Sequence, residues 1–117
     1  PFNPLSVLCG GADTREMMES DHVVSLAINT MKEIMVLAAL SGHHVSESAI
    51  TAIIEDTRKM TPTKTSMLQD YESKRPLEVE AILGNTVRIA RRLDVSTPHL
   101  DALYALLETV DRKNRNR

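Results

Sequence analysis

The stretch Ser20-Asp21-His22-Val23-Val24-Ser25-Leu26-Ala27-Ile28-Asn29-Thr30-Met31-Lys32-Glu33-Ile34-Met35-Val36-Leu37-Ala38-Ala39-Leu40-Ser41-Gly42 decides the fold. Val24, Ala27, Ile28, Met31, Ile34, Met35 and Ala38 recur at steps of three and four, the spacing that lines one face of an α-helix. Val23, Leu37 and Leu40 widen that stripe, so the helix is expected to be buried on more than one side. Ser20 or Asp21 supplies the N-cap, because either side-chain oxygen can accept a free first-turn N–H. Gly42 suits the stop, where positive φ is needed.

The flanking sequence repeats the pattern. Asn3-Pro4-Leu5-Ser6-Val7-Leu8 reads as the end of a helix broken by Gly10-Gly11, with Ala12-Asp13-Thr14 as a connector. A third segment starts at Ser46, presents Ile50, Ile53 and Ile54, and ends before Pro62, which disfavours helix at Thr61. A short fourth covers Ser66 to Tyr71, followed by a turn at Lys74-Arg75-Pro76. Pro76 is suited to open a fifth, since its missing N–H costs nothing in a first turn. The fifth stripe is Val79, Ile82, Leu83, Thr86, Ile89, Ala90 and Leu93. Thr97-Pro98 begins a sixth, which buries Leu100, Leu103, Tyr104, Leu107 and Val110. No stretch alternates with period two, so the chain is expected to be all-α, one domain of five to six helices with short loops.

At 117 residues the chain suits a single domain, in which about two-thirds of the unfolded surface can be buried. A cofactor-binding half and a substrate half do not both fit. Aromatic residues make up only 3% and the net charge is −2, which disfavours base-stacking or phosphate-tracking surfaces and hence nucleic-acid partners. The basic run from Asp111 to Arg117 reads as a solvated tail. The longest unbroken apolar stretch, Ile34 to Leu40, is too short for the roughly 20 residues of a bilayer span, so no membrane segment is expected. Cys9 excludes an internal disulfide and, beside Val7 and Leu8, reads as a small buried hydrophobe. The six methionines read as core filling.

The chain has no phosphate-binding Gly loop, zinc-helix signature or nucleophile elbow. His43-His44 reads as a polar helix end, and His22 and His99 as surface or cap residues, so no metal site is expected. The richest segment runs from Thr65 to Glu80: a hydroxyl, an amide and a carboxylate (Ser66, Gln69, Asp70) on one short helix, then Glu78 and Glu80 at the start of another. On spacing alone this describes two capped helices started by Ser66 and Pro76.

These residues also carry a resemblance. Thr65-Ser66-Met67-Leu68-Gln69-Asp70, then Lys74-Arg75-Pro76-Leu77-Glu78-Val79-Glu80 with Gly84 following, resembles the signature of ketopantoate reductases (2-dehydropantoate 2-reductases). Asn3-Pro4-Leu5-Ser6, the Gly42-His43-His44 helix end and Val95-Ser96-Thr97-Pro98 agree with it in order and spacing. The likeness spans nearly the whole chain and corresponds to the family's all-helical C-terminal domain. It implies cytoplasmic, NADPH-dependent reduction of 2-dehydropantoate to pantoate, in pantothenate and coenzyme A synthesis. The active site would lie in a cleft shared with an N-terminal Rossmann domain.

By that resemblance Asn3 and Ser66 bind the small 2-oxo acid substrate. Glu78 lies near the cofactor and supports the catalytic lysine, which falls eight residues before Asn3 and so upstream of Pro1. Asp70 supports the site. Asp13 stands where some members carry a substrate-contacting Asn, and a carboxylate there would repel an anion, so that role is not carried over. The Gly usual before the Val-x-Thr-Pro turn is Asp94 here. The chain is thus expected to be the second half of a two-domain reductase, inactive alone. It should expose an apolar patch where the first half packs, one that can also drive homodimerisation. Two alternatives are a reductase of another 2-oxo acid and a non-catalytic helical interaction module. Reading the gene upstream of Pro1 separates these alternatives from a ketopantoate reductase.

Overall fold

A computed structural model describes residues 1–116. All regular structure among them is helical: α1 (Phe2–Leu8), α2 (Thr14–Met18), α3 (Asp21–Leu40), α4 (Glu47–Lys59), α5 (Ser66–Glu72), a π-helical turn (Glu80–Gly84) that runs directly into α6 (Asn85–Arg92), and α7 (Pro98–Arg115). α3 and α7 are the two long elements, and α1 packs against both of them and against α5. The core joins Leu5 and Val7 of α1, Met17 and Met18 of α2, Ala27 and Met31 of α3, Met67 and Leu68 of α5, and Leu100, Leu103 and Leu107 of α7.

α3 begins as its pattern predicts. The Ser20 hydroxyl accepts from the Val23 N–H at 3.2 Å, and Gly42 closes the helix at φ +89°. Burial on more than one side holds only for the first half, where Val24, Ala27, Thr30 and Met31 are covered. Beyond Glu33 only Leu37 is fully buried, while Ile34, Val36 and Leu40 are exposed. α3 as a whole is long and apolar enough to cross a membrane, although charged Lys32 and Glu33 break its apolar run. Here it packs against α1, α2, α4, α6 and α7, and its mid-helix Glu33 carboxylate bonds to α7.

Several expectations are corrected. The connector after Gly11 contains α2, started by a reciprocal capping box: the Asp13 carboxylate accepts from the Glu16 N–H and the Glu16 side chain from the Asp13 N–H. Thr65 rather than Ser66 caps α5, accepting from the Leu68 N–H at 3.1 Å. Pro76 does not open a helix. Residues 75–78 are irregular, because the Leu77 N–H is committed to Asp111 Oδ1 at 2.9 Å instead of standing free in a first turn. The π-turn then adds residues to one turn and rotates the stripe, so Val87 is buried in place of Thr86, and Ile82 and Leu93 are exposed. The C-terminal run is no solvated tail up to Arg115: Asp111 and Asn114 are buried, and Asn114 donates to the Tyr71 carbonyl at 3.0 Å. Its last residue, Arg117, lies outside the described residues. Cys9 is exposed at the end of α1, where the chain turns through Gly10 and Gly11, both at positive φ.

Asp94 adopts φ +56° just past the end of α6, and its N–H bonds to the Arg91 carbonyl at 3.2 Å. A left-handed residue there is what a glycine supplies without a side-chain clash. Asp94→Gly is therefore expected to stabilise the domain by about 1 kcal/mol in urea unfolding. A destabilised variant would mean that the carboxylate has a role of its own.

Candidate functional site

α1 and α5 cross with their polar residues facing. Asn3 Oδ1 accepts from the Ser66 hydroxyl and from the Met67 N–H, each at 3.2 Å. One turn further along α1, the buried Ser6 hydroxyl donates to the Asn3 carbonyl at 2.8 Å and lies 2.5 Å from the Thr65 hydroxyl. Pro4 and Leu5 seat α1 in the core below this network. The two residues assigned to substrate therefore meet across 63 positions of sequence. Ser66 is exposed, and its hydroxyl proton and the Asn3 carboxamide oxygen are committed to each other, so the Asn3 NH₂ is left to donate and the Ser66 hydroxyl oxygen to accept.

Asp70 works locally. Its carboxylate accepts from Arg75 Nε at 2.9 Å, and its carbonyl accepts the Arg75 N–H at 2.8 Å. Between them Lys74 turns the chain at φ +59°. The pair closes the turn that leads from α5 to Glu78.

Glu78 is not brought into contact with Asn3 or Ser66. It stands exposed between buried Leu77 and Val79, and its carbonyl accepts the Ile82 N–H at 3.0 Å, so it occupies the helix start. Its neighbours form a groove of about 600 Å³ with the C-terminal half of α7, including Glu108, Asp111, Arg112 and Arg115. No described residue donates to its carboxylate, which leaves an acceptor for a hydroxyl or an ammonium.

Beside it sits a cluster that the sequence did not single out. Glu80 accepts from the Tyr104 hydroxyl at 2.6 Å and from Arg88 at 2.8 Å, and Arg88 also donates to Asn85 Oδ1 at 2.6 Å. The Tyr104 hydrogen bond, then Arg88, holds the Glu80 carboxyl below its usual range. The same Glu80 bond pushes the Tyr104 phenol up. A depressed carboxyl contributes above its unfolded pKa and is lost as pH falls through the folded value. A raised phenol contributes below its unfolded pKa and is lost as pH rises through the folded one. The cluster is thus complete from about pH 5 to about pH 10. Glu80 and Arg88 stand eight positions apart around a π-turn, a relation that regular helical spacing does not reveal.

His43 and His44 lie in the exposed loop after α3. Among the described residues no three His, Cys, Asp or Glu side chains gather to hold a metal ion.

Fold and candidate site together define an all-helical domain with amide and hydroxyl groups gathered where α1 and α5 cross. Residues 1–111 match the family described as Ketopantoate reductase PanE/ApbA C terminal. A 2-dehydropantoate 2-reductase of Nostoc is 38% identical over 98% of this chain and 36% of its own length. The crystal structure of 2-dehydropantoate 2-reductase from Methylococcus capsulatus is 44% identical, with a TM-score of 0.86 over 97% of this chain and 36% of that one. A dimeric ketopantoate reductase from Staphylococcus aureus is 27% identical, with a TM-score of 0.86 over 96% of this chain and 39% of that one. The chain belongs to the ketopantoate reductase C-terminal domain family. It spans a little over a third of the length of these relatives.

Proposed function

We propose that this chain is the substrate-binding domain of an NADPH-dependent 2-dehydropantoate 2-reductase, which forms pantoate for coenzyme A synthesis in the cytoplasm. The observation that carries this reading is the Asn3–Ser66 contact. Two residues matched to the family's substrate contacts, distant in sequence, share one hydrogen bond at an open helix crossing. The Asn3 NH₂ donates to the carboxylate of the 2-oxo acid, and the Ser66 hydroxyl, whose single proton is held by Asn3 Oδ1, accepts from the substrate hydroxyl or turns that proton to the carboxylate on binding, holding the ketone for attack. Glu78 fits the cofactor side: an exposed carboxylate accepts from a ribose hydroxyl and orients the lysine ammonium that polarises the ketone oxygen, a lysine this reading places upstream of Pro1. NADPH, when bound, supplies the hydride. Asp70 supports the site by fixing the turn that leads to Glu78.

The exposed apolar side chains Ile34 of α3, Val45 of the loop that follows it and Ile53 of α4 border a groove with Met35, Ala38 and Ala49. This surface supports contact with an N-terminal Rossmann domain or, as a homodimer, with a second copy.

The test is NADPH oxidation with ketopantoate by a chain that includes the N-terminal domain this reading places upstream, compared with the 117-residue chain, which is expected to be inactive alone. Ser66→Ala and Asn3→Ala are each expected to raise KM by about 10- to 100-fold, the loss of one hydrogen bond to a charged ligand group. Unchanged kcat/KM in both variants overturns the assignment.

A further inference from the structure

We infer that Tyr104 and Asp111 of α7 are positioning residues that hold Glu78 in place by gripping its segment on both sides. Asp111 Oδ1 accepts the Leu77 N–H at 2.9 Å, one residue before Glu78. The Tyr104 hydroxyl donates to Glu80 Oε1 at 2.6 Å, two residues after it. The inference rests on the proposed role of Glu78.

The spacing fits a clamp. Tyr104 and Asp111 are seven residues apart, two turns along one face of α7, so their backbones are separated by about 10 Å. Leu77 to Glu80 is three residues, irregular through Glu78 and helical from Val79, so it spans less than the about 10 Å of an extended segment, and the long Glu80 and Tyr104 side chains cover the difference. The segment runs antiparallel to α7, with Leu77 beside Asp111 and Glu80 beside Tyr104. Leu77 and Val79 are buried on either side of Glu78, so the carboxylate is carried outward without needing a contact of its own.

Each grip is itself held. Arg115 donates to the second Asp111 oxygen at 3.1 Å, and Asp111 is 6% exposed. At the other end the Glu80 carboxylate folds over Gly84. A Cβ on Gly84 would lie 2.1 Å from Glu80 Oε2 and 3.2 Å from the Tyr104 ring. The π-turn, the missing Cβ and the Tyr104 bond therefore depend on one another. π-turns of this kind are frequent at functional sites.

The experiment has two arms. In the ¹⁵N-labelled chain, Tyr104→Phe and Asp111→Ala are expected to speed Leu77 amide exchange or lower the Glu78 heteronuclear NOE. Protection of Leu103 and Leu107 within α7 should be kept, and Asp111→Asn, which retains an acceptor oxygen, should restore Leu77 protection. Tyr104→Phe removes an exposed-end hydroxyl and keeps the test open if Asp111→Ala does not fold. In the longer reductase the same variants are expected to lower kcat about tenfold with KM for the 2-oxo acid unchanged, again rescued by Asp111→Asn. An unaltered segment 77–79 overturns the clamp whatever the activity. A loosened segment with full kcat overturns the role of Glu78, and leaves Asn3 and Ser66 to their own KM test.

Discussion

Glu33→Ala is expected to destabilise the domain by about 2–3 kcal/mol, the cost of leaving two partly buried helix N–H groups without an acceptor. α7 starts with Pro at its first position, and no side chain of its own accepts from its free first-turn N–H groups. The Thr97 hydroxyl, expected from the sequence to be the cap, is turned instead to Asp101 Oδ1 at 3.2 Å. The acceptor comes from the middle of α3. Glu33 Oε1 takes the Leu100 N–H at 2.9 Å, and Oε2 takes the His99 N–H at 3.0 Å and lies 2.6 Å from His99 Nδ1. A carboxylate at that end also complements the helix dipole. One side chain therefore caps a helix and ties the two longest elements together. The loss should appear as a urea midpoint shift with unchanged slope, and as a melting temperature lower by roughly 10–15 °C. Glu33→Gln keeps an acceptor and should lose about half as much. A loss under about 0.5 kcal/mol in Glu33→Ala would show that water replaces the carboxylate.

The same pair of helices shows what was legible in the sequence. Periodicity places α3 and α7 with correct starts because burial of a stripe is a local property of spacing. It fails where a long-range bond overrides local preference. Pro76 has the right chemistry for a first turn, but Asp111, 34 positions away, claims the next N–H. Thr97 has the right chemistry for a cap, and Glu33 displaces it. The π-turn is invisible to a 3.6-residue template, since only the fit of Glu80 over Gly84 against Tyr104 accounts for the extra residue. Asp94 is the converse: it stands where the family has a glycine, and a φ of +56° explains why glycine is usual there. Within the site, Asn3, Ser66, Asp70 and Glu78 came from motif resemblance. Helical spacing cannot join α1 to α5 across the three helices between them, nor show that Glu78 stands apart from the Asn3–Ser66 pair.

The second large effect is expected for Leu68→Ala, at about 3–4 kcal/mol. Leu68 is 1% exposed, beneath the site on α5, in one core cluster with Leu5 of α1 and Met67. α5 is only seven residues long, too short to hold its shape without packing. Its N–H cap is shared with the Ser6–Thr65 hydroxyl pair, so the helix is seated on α1 by two buried side chains below and by hydroxyl bonds above. Removing the more deeply buried anchor should lower the melting temperature by about 15 °C or more, and the gap next to Gly11 gives the short helix room to shift. Ser66→Ala, two residues away on the exposed side, should change stability by less than about 0.5 kcal/mol. The two variants separate fold from function: Ser66→Ala should impair substrate binding in a stable protein. Leu68→Ala should impair it only as far as α5 leaves its seat, so cooling to where the variant is fully folded should restore most of its affinity. If affinity stays low in the cold, folded Leu68→Ala protein, the seat of α5 sets the Asn3–Ser66 geometry even in the native state, and the core beneath the site belongs to the binding apparatus.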